Sequence, residues 1–397
     1  MKIPESVEKT GQRVFLGCRS LKEMRLPSAI NQMGFALFTD CKALEKVVLP
    51  NELVNISARG FSGCSSLAKI DIPESVAEIE AFAFENCRAL KNAKLPEYLE
   101  AIGDNAFMNC ESLDEITVPD NVERIGESAF FGCSKIKDID IPLSVKKMGA
   151  LALGSCTSLE TVSIPYKHIN KINDIYQPFR LFVSDAPSVI VGKKTKDGSY
   201  KSPFGKYAKY VFLPNDVTEI GAGAFESCEN LASVYIPDTV HTIGDGAFFD
   251  CGALKDIRLP EGVGYIGCNA FEYCESLAKI ELPEHLKSIE DAVFANCPLL
   301  TEIVIPESVE RIGEQAFKNC TGIKNIVIPE GVKEIGTGAF DGCDINVFFE
   351  GAPSSAAGQA LTSKCGANVH AYFYSEKKPL LRKDRWRYVD GNPVLWS

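Results

Sequence analysis

The residue type in this sequence most able to do chemistry is cysteine, which occurs fifteen times. Thirteen cysteines recur every 23 residues, at positions 18 to 156 and 228 to 343, and the two outside this series are Cys268 and Cys365. A set of this kind could form disulfides, bind zinc or provide buried thiols.

The spacing favours buried thiols. A disulfide needs Cβ atoms roughly 3.5–4.5 Å apart with converging directions, whereas equivalent positions in stacked repeats point the same way about 4.8 Å apart. Zinc needs ligands around one point, and only Cys268 and Cys274 lie close together in sequence. We therefore expect no metal site, and thiols that pack as small hydrophobic groups. Free thiols suit the cytosol or the exterior of a strict anaerobe.

Acidic residues form a second set with possible chemistry, because one follows most of the regularly spaced prolines. Neighbouring carboxylates could share a cation such as calcium. The interpretation favoured here is a solvated edge that discourages aggregation. The residues are Glu5, Glu74, Glu97, Asp120, Asp238, Glu261, Glu284, Glu307 and Glu330.

Catalytic motifs are absent from the sequence, which contains no G-x-S-x-G, H-E-x-x-H or P-loop, and no G-x-G-x-x-G in a βαβ context. The four histidines are scattered at positions 168, 241, 285 and 370. We predict a non-enzymatic protein without a cofactor. A site assembled across repeats by convergence is the alternative.

The structural elements that position these residues are predicted from a repeat in which proline recurs at a fixed position. Aligned on the proline, each unit reads P-x-x-V-x-x-I-G-x-x-A-F-x-x-C-x-x-L-x-x-I-x-I. One interval of 49 residues (214 minus 165) interrupts the spacing of 23. The prolines are at 4, 27, 50, 73, 96, 119, 142, 165, 214, 237, 260, 283, 306 and 329.

Each part of the unit predicts a local structure. The alternating end of L-x-x-I-x-I predicts a short strand, which proline terminates because it lacks the N–H that a sheet requires. The segment I-G-x-x-A-F-x-x-C predicts a turn with a short α or 3₁₀ segment. Ser57, Glu80 and Glu290 replace its glycine, so a compulsory positive φ is not expected there. Stacking predicts a solenoid with one parallel sheet on the concave side and turns or helical segments on the convex side.

Units such as IPESVEKTGQRVFLGCRSLKEMRLP and IPDTVHTIGDGAFFDCGALKDIRLP resemble the BspA-type leucine-rich repeats, over about residues 1–165 and 211–350. The closing stretch YFYSEKKPLLRKDRWRYVDGNPVLW resembles the end segment of such proteins from gut Firmicutes. The resemblance implies a leucine-rich-repeat fold and a bacterial surface adhesin that binds host matrix proteins such as fibronectin and fibrinogen. No binding residues transfer with it.

The spacing also predicts four regions. Residues 1–165 form seven regular units, 166–213 an irregular region with a basic insertion, 214–350 six units with the last partial, and 351–397 a C-terminal cap. Attachment to a cell wall or partner is the alternative role for this tail. Its apolar residues are Tyr372, Tyr374, Trp386, Tyr388, Val394 and Trp396.

Two surfaces are candidates for binding. The outward strand positions form the first, on the expected concave face, although neutral drift would vary them equally. They include Arg25, Asp71, Lys94, Asp140, Tyr235, Arg258 and Glu281. The second is a basic loop within residues 166–210, where nine basic and three acidic residues give a balance of +6. Its candidate residues are Lys193, Lys194, Lys196, Tyr200 and Lys201. The alternative is a degenerate repeat pair that continues the stack.

Net charge and termini restrict the partners. The formal net charge of -11 disfavours nucleic acid, and no apolar run is long enough for a membrane span. We expect a monomer that binds either protein, such as host extracellular matrix, or glycan. The start lacks a secretory signal and lies inside the repeat pattern. We therefore expect a surface or secreted protein if a leader has been removed, and otherwise a cytoplasmic scaffold.

Overall fold

The structure is a computed structural model that describes residues 3–172, 179–184, 189–190, 193–195, 199–205, 207–350, 368–376, 385–389 and 392–395. The chain divides into two compact units, Met1–Asp185 and Ala186–Ser397. Within each unit, strands of successive repeats pair in parallel with a shift of one repeat, as Ile56 pairs with Ile79. The parallel β-solenoid predicted from the 23-residue spacing is confirmed.

The first unit has two series of strands where the sequence predicts one. The first series follows the L-x-x-I-x-I segment, as predicted, and the second lies just before the repeated glycine. The first comprises Glu23–Arg25, Lys46–Val48, Lys69–Asp71, Asn92–Lys94, Asp138–Asp140, Thr161–Pro165 and Phe179–Ser184. The second comprises Asn55–Ile56, Glu78–Ile79, Ala101–Ile102, Arg124–Ile125 and Lys147–Met148. Each strand of the second series has only two residues, at the end of V-x-x-I, which is too short to show an alternating pattern. The sequence pattern therefore does not predict the second series.

The second unit repeats this arrangement and adds two hairpins. Its first series comprises Ala208–Phe212, Ser233–Tyr235, Asp256–Ile257, Lys279–Ile280, Asn325–Ile328, Ile345–Phe349, Val369–Tyr374, Arg385–Val389 and Asn392–Leu395. Its second comprises Val189–Ile190, Glu219–Ile220, Thr242–Ile243, Tyr265–Ile266, Ser288–Ile289, Arg311–Ile312 and Glu334–Ile335. One antiparallel hairpin joins Lys193–Lys194 to Tyr200–Lys201, and the last two strands of the first series form the other.

The segment from the glycine to the cysteine consists of turns. Within the described part of the chain, the only helix is a 3₁₀ segment, Tyr166–Ile172, which lies outside the regular repeats. In a typical repeat Ala36 and Asp40 have φ of 53° and 58°. Every second backbone N–H of this segment donates a hydrogen bond to a carbonyl oxygen of the next repeat. Phe38, for example, donates to the carbonyl of Gly60 over 2.8 Å. The short helical segment expected here does not form because these N–H groups pair between repeats, whereas a helix would pair them internally.

The repeated glycine is explained by close backbone approach. A Cβ on Gly126 would lie 2.4 Å from the backbone nitrogen of Asp104 in the preceding repeat, and one on Gly149 would lie 2.2 Å from that of Glu127. Neither glycine has a positive φ, as the sequence analysis expected. The glycine therefore sets how tightly successive repeats can stack.

The core of each unit is a set of stacked columns. Phenylalanine rings of successive repeats stack nearly parallel, as for Phe61 and Phe84, whose centroids are 5.4 Å apart. The second unit has a column of its own that begins at Phe204, whose ring centroid lies 4.3 Å from that of Phe225. These side chains are fully buried, or very nearly so, and lie beside the cysteine column. The outward side chains of the first strand series, here called the strand face, are thus held on a densely packed frame.

Candidate interaction surfaces

The strand face of the first unit is charged, and its charges are paired locally. Asp71 and Lys94 are exposed and directly opposite each other on adjacent strands. Asp71 also pairs with Lys69 at 3.0 Å, and Lys94 with Glu74 at 3.3 Å. Lys69, Asp71 and Lys94 line an open groove of about 890 Å³. Such exposed pairs contribute little to stability, so these side chains can exchange partners at low cost.

The remaining predicted positions of the first unit are also exposed. Arg25 lies opposite Val48, and Asp140 lies opposite Ser163. The backbone therefore presents Arg25, Asp71, Lys94 and Asp140 on the outward side of one strand series.

The strand face of the second unit presents Tyr235, Arg258 and Glu281, which are all exposed. Arg258 pairs with Asp238 at 3.3 Å, and Glu281 with Lys279 at 2.9 Å. The hydrogen bond from Lys279 lowers the pKa of the Glu281 carboxyl. This face combines an aromatic ring with paired charges.

An aromatic residue beside Tyr235, Phe212, was not among the predicted strand-face residues, whereas Tyr210 belongs to the predicted basic region 166–210. Phe212 is directly opposite Tyr235, and Tyr210 is opposite Ser233. The spacing could have identified Phe212, because 235 minus 23 is 212. The register is obscured at this point because no cysteine lies between Cys156 and Cys228 to mark the unit that contains Phe212.

The basic loop contains a docked hairpin. The Tyr200 backbone N–H donates to Oε2 of Glu226 over 3.0 Å, and a Cβ on Gly223 would lie 2.1 Å from the Cβ of Tyr200. Gly223, with φ of 60°, therefore makes room for the hairpin. Lys193 and Lys201 are exposed, and Lys194 lies opposite Tyr200. Lys196, like Val191 and Trp396 elsewhere, lies outside the described residues.

The cysteine column provides buried hydrogen-bond donors. No disulfide joins any of the fourteen cysteines within the described residues. Cys133 donates from Sγ to the carbonyl oxygen of Phe107 over 3.2 Å, and the same contact recurs along both units. Burial raises the pKa of Cys156 and Cys228 to about 12, the hydrogen bond of each thiol opposing this shift. Thiols in this state are poor nucleophiles and poor metal ligands.

Two of the acidic residues after the prolines accept backbone hydrogen bonds that the sequence did not indicate. Glu74 accepts a hydrogen bond from the backbone N–H of Glu97 over 2.9 Å, and Glu5 accepts one from Ser28 over 3.2 Å. Burial raises the pKa of Glu307, and neighbouring carboxylates including Glu350 add to the shift. Among the described residues, no three His, Cys, Asp or Glu side chains are grouped so as to hold a metal ion.

His168, which lies between Pro165 and Pro214, is buried. Its ring Nε2 lies 2.8 Å from the carbonyl oxygen of Val145. No helix in the described ranges is both long and apolar enough to cross a bilayer.

A family model described as "BspA type Leucine rich repeat region (6 copies)" matches residues 1–110, 77–176, 204–321 and 287–351. No protein of curated function matches the sequence.

Among solved structures, a leucine-rich repeat protein from Bacteroides ovatus is 27% identical, with a TM-score of 0.48, over 82% of this chain and 83% of that one. A leucine-rich cell surface protein from Faecalibacterium prausnitzii is 29% identical, with a TM-score of 0.39, over 89% of this chain and 86% of that one.

Proposed function

Because the chain belongs to the BspA-type leucine-rich repeat family, we propose that it is a non-enzymatic, protein-binding scaffold that acts in adhesion at a bacterial cell surface or after secretion. Members of this family are typically cell-surface proteins. Host extracellular matrix proteins, including fibronectin and fibrinogen, are the partner class that the resemblance implies, and the protein acts as a monomer.

The observation behind this proposal is the contrast between core and strand face. Core positions repeat the same residue types, with phenylalanine columns and a cysteine column fully buried or nearly so. Outward positions change from Arg25 to Asp71 to Lys94 along one unit, and all three are exposed. A rigid frame with variable outward side chains lets a surface be adapted to a partner without loss of stability.

Two surfaces are proposed for the partner. The strand face offers Arg25, Asp71, Lys94 and Asp140 in the first unit and Tyr235, Arg258 and Glu281 in the second. The basic loop, with Lys193, Lys194, Lys196, Tyr200 and Lys201, is suited to an acidic partner, because its charge is opposite to the net charge of the chain.

Binding can be measured by surface plasmon resonance against immobilised fibronectin, fibrinogen, laminin and collagen. We expect a multiple alanine variant at Arg25, Asp71, Lys94 and Asp140 to weaken binding about tenfold or more, since central interface residues dominate affinity. A matched variant beside the second-series strands, Glu123→Ala with Lys146→Ala, which removes an exposed ion pair, is expected to bind normally. Equal binding by both variants would exclude the strand face of the first unit.

The hairpin is tested separately with Lys193→Ser and Lys201→Ser together. Reduced binding that also falls steeply with added salt supports the hairpin, since surface electrostatic attraction is screened. Unchanged binding would rule it out.

An intracellular scaffold is the second candidate, because a reducing compartment would preserve a column of buried, hydrogen-bonded thiols such as this one. Protease treatment of intact source cells decides between the two, with an antibody to this chain as the readout. Loss of signal places the repeats outside, whereas a signal that appears only after lysis excludes adhesion.

A further inference from the structure

The second unit carries an aromatic platform at the first strands of its strand face. Phe212 and Tyr235 occupy equivalent outward positions on adjacent parallel strands, and their ring centroids are 6.5 Å apart. Tyr235 is 52% exposed, so much of its ring is accessible to a ligand. The two rings are tilted by 25° to each other, and Phe212 is half-buried beside the more exposed Tyr235.

This platform lines a groove of about 290 Å³. Tyr210 and Ser233 lie on the same strands one outward position earlier, and the Lys209 ammonium lies 5.3 Å from the centre of the Tyr210 ring. Ser233 is half-buried and contributes a hydroxyl. The groove therefore combines aromatic rings with small polar groups along the stacking direction.

Charged groups of both signs border the aromatic rings. Asp256 and Arg258 lie in the repeat that follows Ser233 and Tyr235, and they line the same groove. Arg258 pairs with Asp238 at 3.3 Å, and these two side chains are 71% and 80% exposed. An ion pair this exposed is weak and readily accepts a third hydrogen-bonding group.

We propose that this platform binds a neutral oligosaccharide. A pyranose ring has an apolar C–H face that stacks on an aromatic ring, and equatorial hydroxyls that both donate and accept hydrogen bonds. Phe212 and Tyr235 offer the first kind of contact, and Asp238, Asp256 and Arg258 offer the second. Rings with polar tips at a wet surface are suited to this mixed contact.

The repeat geometry supports a chain of sugars rather than a single one. Adjacent strands are about 4.8 Å apart, which is close to the length of one pyranose unit in an extended polysaccharide. The outward positions 212, 235, 258 and 281 follow one another at this spacing, so successive sugars would meet successive repeats. A phosphate polymer is disfavoured, because Asp256 in the groove and Asp238 beside Arg258 would repel its phosphates.

The proposal does not depend on the protein-scaffold function, because it concerns a different ligand class and is tested with different variants. The full chain is titrated with β-1,4-linked tetraoses of glucose, N-acetylglucosamine and mannose, and with α-1,4- and α-1,6-linked glucose tetraoses. Binding is followed by calorimetry and by saturation-transfer NMR. Tyr235→Ala is the test variant, and Tyr265→Ala, which removes an exposed tyrosine from a second-series strand of the same unit, is the control.

We expect at least one of these tetraoses to bind, with affinity reduced about tenfold or more in Tyr235→Ala and unchanged in Tyr265→Ala. Tyr235→Phe keeps the ring and is expected to retain most of the binding, which separates stacking from misfolding. Added salt should have little effect, since the ligand is neutral. Absence of binding by every tetraose would overturn the proposal, as would equal binding by wild type and Tyr235→Ala. Binding of a protein partner that requires Tyr235, without any binding of sugars, would also overturn it.

Discussion

The thiol of Cys64 donates a hydrogen bond to the backbone carbonyl oxygen of Phe38 in the preceding repeat, with 3.1 Å between Sγ and the oxygen. The same carbonyl accepts the backbone N–H of Cys41 over 3.0 Å, so it has two donors. This contact explains the regular cysteine better than size alone, since alanine or valine could not supply the second donor.

Replacing one buried thiol should therefore have a measurable cost. We expect Cys110→Ala, which removes the donor to the Phe84 carbonyl and leaves a small void, to lower the free energy of unfolding by about 1–2 kcal/mol. Cys268→Ala is the matched control, because Cys268 is only half-buried and lies outside the column. Urea unfolding followed by circular dichroism compares them, and equal costs would contradict this role for the column.

Stability should fall at high pH. Burial raises the pKa of Cys41 to about 11 and that of Cys228 to about 12, from an ordinary value of 9.0. The unfolded chain therefore loses these protons first, so the stabilisation is complete below pH 9.0 and decreases between pH 9.0 and about 12. Urea midpoints across this range measure it. Cys228→Ala should reduce the slope, and an identical slope would show that other groups cause the loss.

The native thiols should also resist modification. A thiol reagent at neutral pH should leave most cysteines unlabelled in the folded protein and label them all in urea, because reaction requires an accessible thiolate. Cys18 and Cys268, which are partly exposed, should react first. Rapid labelling of Cys110 or Cys133 in the folded protein would contradict the buried column.

Close stacking at the repeated glycine can be tested with a single methyl group. We expect Gly126→Ala to destabilise the first unit by about 1–3 kcal/mol, because its Cβ would lie 2.4 Å from the backbone of Asp104. Gly252→Ala is the control, since a Cβ there meets no atom within 4 Å. A thermal melt compares the two variants, and similar midpoints would show that the backbones can separate without cost.

The C-terminal strands offer a fifth test. Trp386 is fully buried and donates from its indole nitrogen to the carbonyl of Phe349 over 3.1 Å. We propose that these strands cap the second unit, and expect Trp386→Ala to cost about 3–5 kcal/mol there.

Hydrogen exchange of the strand Ile345–Phe349 is the readout for this variant. Val394→Ala, which truncates a side chain that is 41% exposed on the same hairpin, should leave exchange nearly unchanged. Normal protection in Trp386→Ala would show that the hairpin is not a cap.

The sequence alone determined the repeat length, the first strand series and the residues that form the core. Periodicity carries this information directly, because every repeat must bury the same positions against its neighbours. It also indicated that the repeated glycine needs no positive φ, since Ser57, Glu80 and Glu290 replace it. The resemblance to a repeat family added the fold class that the family model confirms.

Only the tertiary structure decided how the segments between core positions pair. The second strand series, as at Glu78–Ile79, and the N–H of Phe38 find their partners in the neighbouring repeat, 22 or 23 residues away. Local pattern cannot distinguish such pairing from a short helix, because both bury the same side chains. The same distance along the chain separates Phe212 from Tyr235, and only stacking of the repeats brings their rings side by side.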